Sequence, residues 1–407
     1  MEPATYVIAT MDTKGIEARF AADRLRTSGV EVRTVDVSTL GPAVGEPDVD
    51  RETVWHAAFE TGFEIGTRDR GEAIGRMAEA LQAYLLAETA AGRVQGVLGL
   101  GGSGGTSLIT TAMRALPIGL PKLMVSTVAS GNVAPYVDCS DIAMLYSVVD
   151  IAGLNAVSEA ILANAAAAMA GMARQAPRSR PKRQAVGMTM FGVTTPCVSR
   201  VRQVLENAGY DCLVFHATGA GGRAMEQLAA SGLISGVLDI TTTEVADEIV
   251  GGVFPAGPGR FDKLVESGVP LVVSFGAVDM VNFGAIETVP ERFRHRRLHV
   301  HNAQVTLMRT KIEENRLIAD WIAAKLNRAR APVRVLIPEG GVSLLDRPGE
   351  PFHDPGADAA LFEEFEKHFE ITPTRQVIRL PYDINAPEFA DALAAQFLEL
   401  RQQAGGN

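Results

Sequence analysis

The sequence predicts an α/β protein built from two Rossmann-like, doubly wound parallel-sheet domains with an interdomain cleft for ligand. Three observations carry this. Short apolar runs alternate with amphipathic stretches along the chain, the pattern of repeated βα units. Aromatics are scarce at 6% while 47% of the 407 residues are hydrophobic, as when valine- and leucine-rich strands are covered on both faces. The two halves also present their segments in the same order.

In the first half "ATYVIAT" reads as a strand and "GIEARFAADRLRTSG" as a helix closed by Gly29. "VEVRTVDV" is the next strand, and a helical stretch runs from Arg51 to Ala91. Strand "VQGVLGL", a helix over Thr106–Ala115 and strand "PKLMVST" follow. A long alanine-rich helix over Ile151–Ala173 closes the half; Asn155, Glu159 and Asn164 make it a packed helix and not a membrane span. A Pro/Arg-rich run marks the boundary, giving domains over 1–176 and 185–407 and a linker over 177–184. "QAVGMTMF", a helix over Cys197–Ala208, "DCLVFHA", a helix over Ala224–Ser231 and "SGVLDI" then resume the alternation. "QGVLGLGGSGG" matches "SGVLDITTTEV" in kind, and "PKLMVSTVASGN" matches "VPLVVSFGAVDMVNFG".

Composition narrows the function. A net charge of −10 argues against a duplex-binding surface, and the basic linker has no aromatics for base stacking. Three widely spaced cysteines without a CxxC pair fit a reducing cytoplasm, not a disulfide framework or cysteine zinc site. The N-terminus lacks the basic region of a signal peptide.

The stretch "GLGGSGGTSL" lies between a strand and a helix, and Gly99, Gly101 and Gly104 spell GxGxxG. A dinucleotide loop follows the first strand of its fold, with an acidic residue about 20 positions on. Here a later strand precedes the loop, and the next strand ends in Ser126 and Thr127, so a nicotinamide dinucleotide is disfavoured. No lysine follows Gly104 or Gly105, so it is not a Walker A loop. What survives is an anion cradle at a helix N-terminus, formed by Gly101, Gly102, Ser103, Gly104, Gly105 and Thr106. The plain alternative is a tight turn. "TMDTKG" offers Thr13 and Lys14 at the end of the first strand, and "STVASGN" offers Thr127, Ser130, Gly131 and Asn132. In a doubly wound sheet these loops converge on one edge.

"ATMDTKG", "GLGGSGGTSL" with "STVASGNV", and "DIAGLNAVSEAILANAAAAM" resemble the ATP-binding domain family typified by the tomato mosaic virus resistance protein. "PAGPGRFD", "HNAQVTLMRT" and "PEGGVSLLDRPGEPFHDP" extend the resemblance over about residues 4 to 402. It implies ATP binding at Lys14, at Gly101 to Thr106 and around Thr127 and Asn132, with Thr39 and Arg70 also touched. Antiviral inhibition does not carry over, because the plant protein has a further domain.

The second half offers a polar site. Gly221, Gly222 and Arg223 repeat the glycine-rich helix start and suit a substrate carboxylate or phosphate, as does Arg260 in its Pro/Gly loop. "HVHNAQVTLMRT" places His299 and His301 on one side of an extended segment beside Asn302. Two histidines are not a metal site, and no metal centre is expected. Glu339 heads a long loop as a general acid/base, with Asp346, His353 and Asp354 to hold Mg²⁺ or orient a hydroxyl. A loop that only caps the domain is the alternative.

The expectation is a cytoplasmic, homo-oligomeric nucleotide-binding protein. It binds ATP, with Mg²⁺ if phosphoryl transfer occurs, and acts on a small phosphorylated or carboxylated metabolite. It has neither nucleic acid nor membrane as partner. The catalytic candidates are Glu339, His301 and Asp346. Two alternatives stay open: a non-catalytic ATP-dependent regulatory module, and a nucleotide-independent lyase or isomerase run by Glu339 and His301.

Overall fold

The structure, a computed structural model, describes residues 2–62, 69–174 and 183–405. Most of the expected linker lies outside the described residues. The chain divides into two compact units, Met1–Ser179 and Arg180–Asn407.

The first unit runs β1 (Ala4–Ala9), α1 (Met11–Thr27), β2 (Val32–Asp36), α2 (Arg51–Trp55), α3 (Arg70–Ala90), β3 (Val94–Gly101), α4 (Ser103–Ala115), β4 (Lys122–Ser126), α5 (Ala134–Val137), β5 (Ala143–Tyr146) and α6 (Ala156–Ala173). Its strands are parallel in the order β2-β1-β3-β4-β5. Strand side chains alternate between two cores. Tyr6, Ile8, Val97 and Met124 meet Trp55, Leu81 and Ile109 of α2, α3 and α4. Val7, Ala9, Leu98 and Val125 meet Leu25 of α1 and Leu162 and Met169 of α6 on the other face. Helices therefore cover both faces, as expected.

Local chemistry moves several boundaries. The helical stretch from Arg51 is two helices, and Asp69 caps the second by accepting from Gly71 N and Glu72 N. The long helix starts at Ala156, not Ile151. Asn155 Oδ1 accepts from the Val157 and Ser158 amides while Ser158 Oγ accepts from Asn155 N, a capping box that fixes the first turn. That helix is apolar and long enough to span a membrane by composition, and 39% of it is buried against α1 and the sheet. The four-residue β5 is too short for any periodicity to announce it.

The second unit runs β6 (Ala185–Met190), α7 (Thr195–Asn207), β7 (Asp211–His216), α8 (Ala220–Ala230), β8 (Val237–Thr241), α9 (Thr243–Val250), α10 (Asp262–Glu266), β9 (Leu271–Gly276), β10 (Met280–Phe283), β11 (Leu298–Asn302), β12 (Val305–Arg309), α11 (Ile312–Leu326), β13 (Val333–Pro338), α12 (Pro355–His368), β14 (Arg375–Leu380) and α13 (Pro387–Gly405). Six strands form a parallel sheet in the order β14-β13-β9-β8-β6-β7. The strands β10-β12-β11 form a separate antiparallel sheet, inserted between β9 and α11, that the sequence reading did not anticipate.

Both parallel sheets begin alike. The second strand lies on one side of the first and the third on the other, so the winding reverses between β1 and β3 and again between β6 and β8. Loops leaving the carboxyl ends of such strands diverge and open a crevice.

Candidate functional site

In the first unit the reversal point carries a pocket of about 180 Å³. The β1–α1 turn lines it with Asp12, Thr13 and Lys14, and the exit of β2 adds Thr39 and Leu40. Helix α3 adds Arg70 and Ile74, and the β3–α4 turn contributes Gly102, Ser103, Gly104 and Gly105. All of these walls come from the first unit.

The pocket floor is an open helix end. Thr106 N donates to Gly102 O at 2.8 Å and starts the helical ladder. Ahead of it, the amides of Ser103, Gly104 and Gly105 have no acceptor among the described residues, and no side chain caps α4. They carry the positive pole of the helix, about half an elementary charge. The neighbouring end of α1 is closed: Met11 N donates to Asp36 Oδ1 at 3.1 Å and Asp12 N to Ser38 Oγ at 2.8 Å. Of the two helix starts at this edge, one is satisfied internally and one is open among the described residues.

Lys14 sits where α1 departs from helical geometry, at φ −132° and ψ 21°. Its Nζ donates to Ile151 O at 2.9 Å. Arg70 is exposed, and neither cation has a carboxylate partner among the described residues. Asp12 Oδ2 accepts from Gly41 N at 3.0 Å, which leaves Oδ1 unengaged. The apolar wall of Leu40, Ile74 and Leu108 escaped the sequence reading, since nothing in its spacing separates it from core.

Other residues expected at this site support it from below or lie aside. Gly101 is buried, and a Cβ there would stand 2.7 Å from Thr106 N. Thr106 Oγ1 lies 2.6 Å from Ser126 Oγ in the interior. These two set the turn and do not face the pocket. Thr127, Ser130, Gly131 and Asn132 fall outside the lining. Thr127 N donates to Gly101 O at 3.3 Å, and Asn132 Oδ1 accepts from Ala134 N at 3.1 Å.

The second unit differs at its reversal point. Thr194 Oγ1 and Thr241 Oγ1 lie 2.7 Å apart there, both fully buried. The expected substrate loops are also occupied. Arg260 is buried, with Glu226 at 2.5 Å, Asp239 at 2.6 Å and Glu244 at 2.5 Å around its guanidinium. Burial pushes the carboxyls of Glu226 and Glu244 up, and Arg260 pulls them back. A Cβ on Gly222 would stand 1.8 Å from Glu244 Oε1, and one on Gly221 1.9 Å from His216 O. These glycines admit close packing around the ion cluster instead of a ligand. Arg223 Nη1 donates to Ala256 O at 3.3 Å, and Asn302 Oδ1 accepts from Gln304 N at an exposed hairpin turn.

The expected catalytic trio is not brought together. Glu339 is exposed at the end of β13, 3.2 Å from Arg379 Nη1. His301 is exposed on β11. Asp346 is buried, 3.0 Å from Arg309 Nη2, which also reaches Asp358 at 2.7 Å. Burial, with Asp279 and Asp358 close by, pushes Asp346 up to about 9. His353 Nδ1 lies 3.1 Å from Asp346 O, and Asp354 caps α12 through Ala357 N. The long loop is thus pinned to the core by its own polar residues. Among the described residues no three His, Cys, Asp or Glu side chains are placed to hold a metal.

Fold and site together define a two-domain, doubly wound α/β protein with an open, cationic helix end at its first topological reversal. The model of the uncharacterised protein family UPF0261 matches as an N-terminal domain over residues 3–178 and a C-terminal domain over 183–401. The chain belongs to this family. A UPF0261 protein of Rhizobium meliloti (strain 1021) is 52% identical over 97% of this chain and 98% of its own length. A UPF0261 protein of Clostridium tetani is 46% identical over 99% of this chain and all of its own. The ToMV resistance protein Tm-1(GCR237) of Solanum lycopersicum is 47% identical over 98% of this chain, which spans 56% of that longer protein. Among solved structures, a Streptomyces glycosyltransferase, SsfS6, complexed with thymidine diphosphate, aligns over 67% of this chain and 82% of its own at 15% identity. Its TM-score of 0.19 carries no argument.

Proposed function

We propose that the first unit binds a nucleotide, ATP foremost, with its phosphates on the open end of α4. The observation that carries this is the set of three amides, at Ser103, Gly104 and Gly105, in one pocket with the cations of Lys14 and Arg70, the amides without an acceptor and the cations without a carboxylate partner among the described residues. Helix N-termini of this kind hold phosphates through N–H donors and the dipole together. Lys14 supplies a point charge and exchanges its Ile151 carbonyl for a phosphate oxygen. The free Oδ1 of Asp12 is the group present to meet Mg²⁺ on the phosphates. Leu40, Ile74 and Leu108 offer the remaining wall to an apolar part of the ligand. This reading keeps the chain in the cytoplasm, where nucleoside triphosphates are abundant.

Calorimetric titration with ATP, with and without Mg²⁺ and with NADH as control, tests it. Binding that weakens tenfold or more in Lys14→Ala, about 1.4 kcal/mol, is the expected result. ATP binding that is absent, or equal in Lys14→Ala, overturns it.

A further inference from the structure

A second cavity, of about 420 Å³, lies wholly in the second unit. The turn before β11 lines it with His295, Arg296 and Arg297, and the junction of β12 with α11 lines it with Arg309, Thr310 and Lys311. Its size falls in the range of small-molecule sites.

The charges there divide into satisfied and unsatisfied ones. Arg296 is spent on Glu314, with both contacts at 2.8 Å. Arg297 is exposed, and its one hydrogen bond goes to the His353 carbonyl. Lys311 is exposed as well. Arg297 has no carboxylate partner among the described residues, and Lys311 makes no ion pair there but feels the Glu314 carboxylate, which Arg296 already holds. Arg309 is nine-tenths buried and carries an unspent donor. Its Nε donates to Phe352 O, and Nη2 serves Asp346, Asp358 and the Asp354 carbonyl. Nη1 makes one hydrogen bond, to Thr310 Oγ1 at 3.1 Å. A guanidinium has five N–H groups, so one Nη1–H of this cavity-lining arginine lacks an acceptor among the described residues. A buried donor without a partner is costly, and an oxygen ligand relieves the cost. The first amides of α11, at Ile312 and Glu313, also have no acceptor among the described residues.

We propose that this cavity is an oxyanion site for a small carboxylate or phosphate, held by Arg297, Lys311 and the free Nη1–H of Arg309. Glu313 and Asp354 on the same walls limit the favourable charge, so the fit is to a compact anion and not to a polyanion. No residue of the glycine-rich start of α8 lines this cavity. The proposal stands apart from nucleotide binding in the first unit.

The test is calorimetric titration of the full chain at low ionic strength with inorganic phosphate and, separately, with malonate. It compares the wild type, Lys14→Ala, and the double variant Arg297→Ala/Lys311→Ala. Both substituted side chains are exposed, and an unchanged thermal midpoint checks that the variant is folded. If it is not, Arg297→Gln and Lys311→Gln are read singly. The expected result is binding of one or both anions that survives in Lys14→Ala and weakens at least tenfold in the double variant. Preference for phosphate or for malonate then assigns the ligand class. Binding of neither anion, binding unchanged in the double variant, or binding abolished by Lys14→Ala overturns the proposal.

Discussion

Arg260 and Arg309 repeat one device, a buried guanidinium facing three carboxylates. Glu226, Asp239 and Glu244 surround the first, and Asp279, Asp346 and Asp358 the second. Burying charge is costly, and removing one member strands the others. Arg260→Met is expected to lower the stability of the second unit by about 3–5 kcal/mol, read as a shift in the urea unfolding midpoint. An unchanged midpoint refutes the assignment. In sequence, an arginine beside a Pro/Gly loop looks the same whether it grips a ligand or a core carboxylate. Its partners lie 16, 21 and 34 residues away, and only folding brings them together. Lys14 contrasts with it: its one backbone contact leaves its charge unpaired.

Among the elements, α4 and α6 show how helix starts are spent. The start of α6 is closed by Asn155, so Asn155→Ala should cost about 1 kcal/mol, measured by thermal unfolding of the first unit. The start of α4 has no side-chain cap. A Cβ on Gly104 would meet only Ile74 Cδ1, at 3.1 Å, the movable end of a side chain. Gly104→Ala should therefore keep or raise the thermal midpoint, since alanine suits a helix better by about 0.5–1 kcal/mol, while it crowds the pocket and weakens ATP several-fold. A midpoint that falls with ATP affinity intact would assign Gly104 to packing alone. At Gly101 the same change meets the backbone nitrogen of Thr106 and should destabilise the unit. The GxGxxG spelling made no such distinction among its glycines. The strand–helix step was legible because apolar runs and glycines punctuate it. The antiparallel β10-β12-β11 sheet was not, because its strands are four or five residues long and β10 reaches β12 across an intervening loop, even though β11 and β12 form a local hairpin.

At the scale of the whole molecule, burial raises the pKa of acids in the second unit. Burial pushes Asp247 up to about 7 and Asp346 up to about 9. A carboxyl with a raised folded pKa binds more protons folded than unfolded, so stability falls as pH rises through the folded value. The unfolded chain releases these protons near pH 4, so denaturant midpoints of the second unit should decline from about pH 4 upward, Asp247's share being complete near pH 7 and Asp346's near pH 9. A flat or rising profile contradicts the buried-acid assignment. Both units place helices on both faces of a parallel sheet and wind alike through the first five strands of that sheet, with a pocket at the reversal point of the first and the buried pair Thr194 and Thr241 at that of the second.

The sequence alone determined the two-unit α/β plan, the glycine-rich helix start and the nearness of Lys14 to it. These follow from local pattern: periodicity, turn residues, and the rule that loops at the ends of adjacent parallel strands share an edge. Only the tertiary structure decided which polar residues face a cavity and which face each other. Asp346 and Arg260 turned inward, Glu339 and His301 stayed at the surface, and Arg297, Arg309 and Lys311 gathered around a cavity from separate elements. The physical reason is that a charged side chain carries no sign of its partner. Whether it is spent or free depends on long-range packing that sets its counter-charge and its burial together.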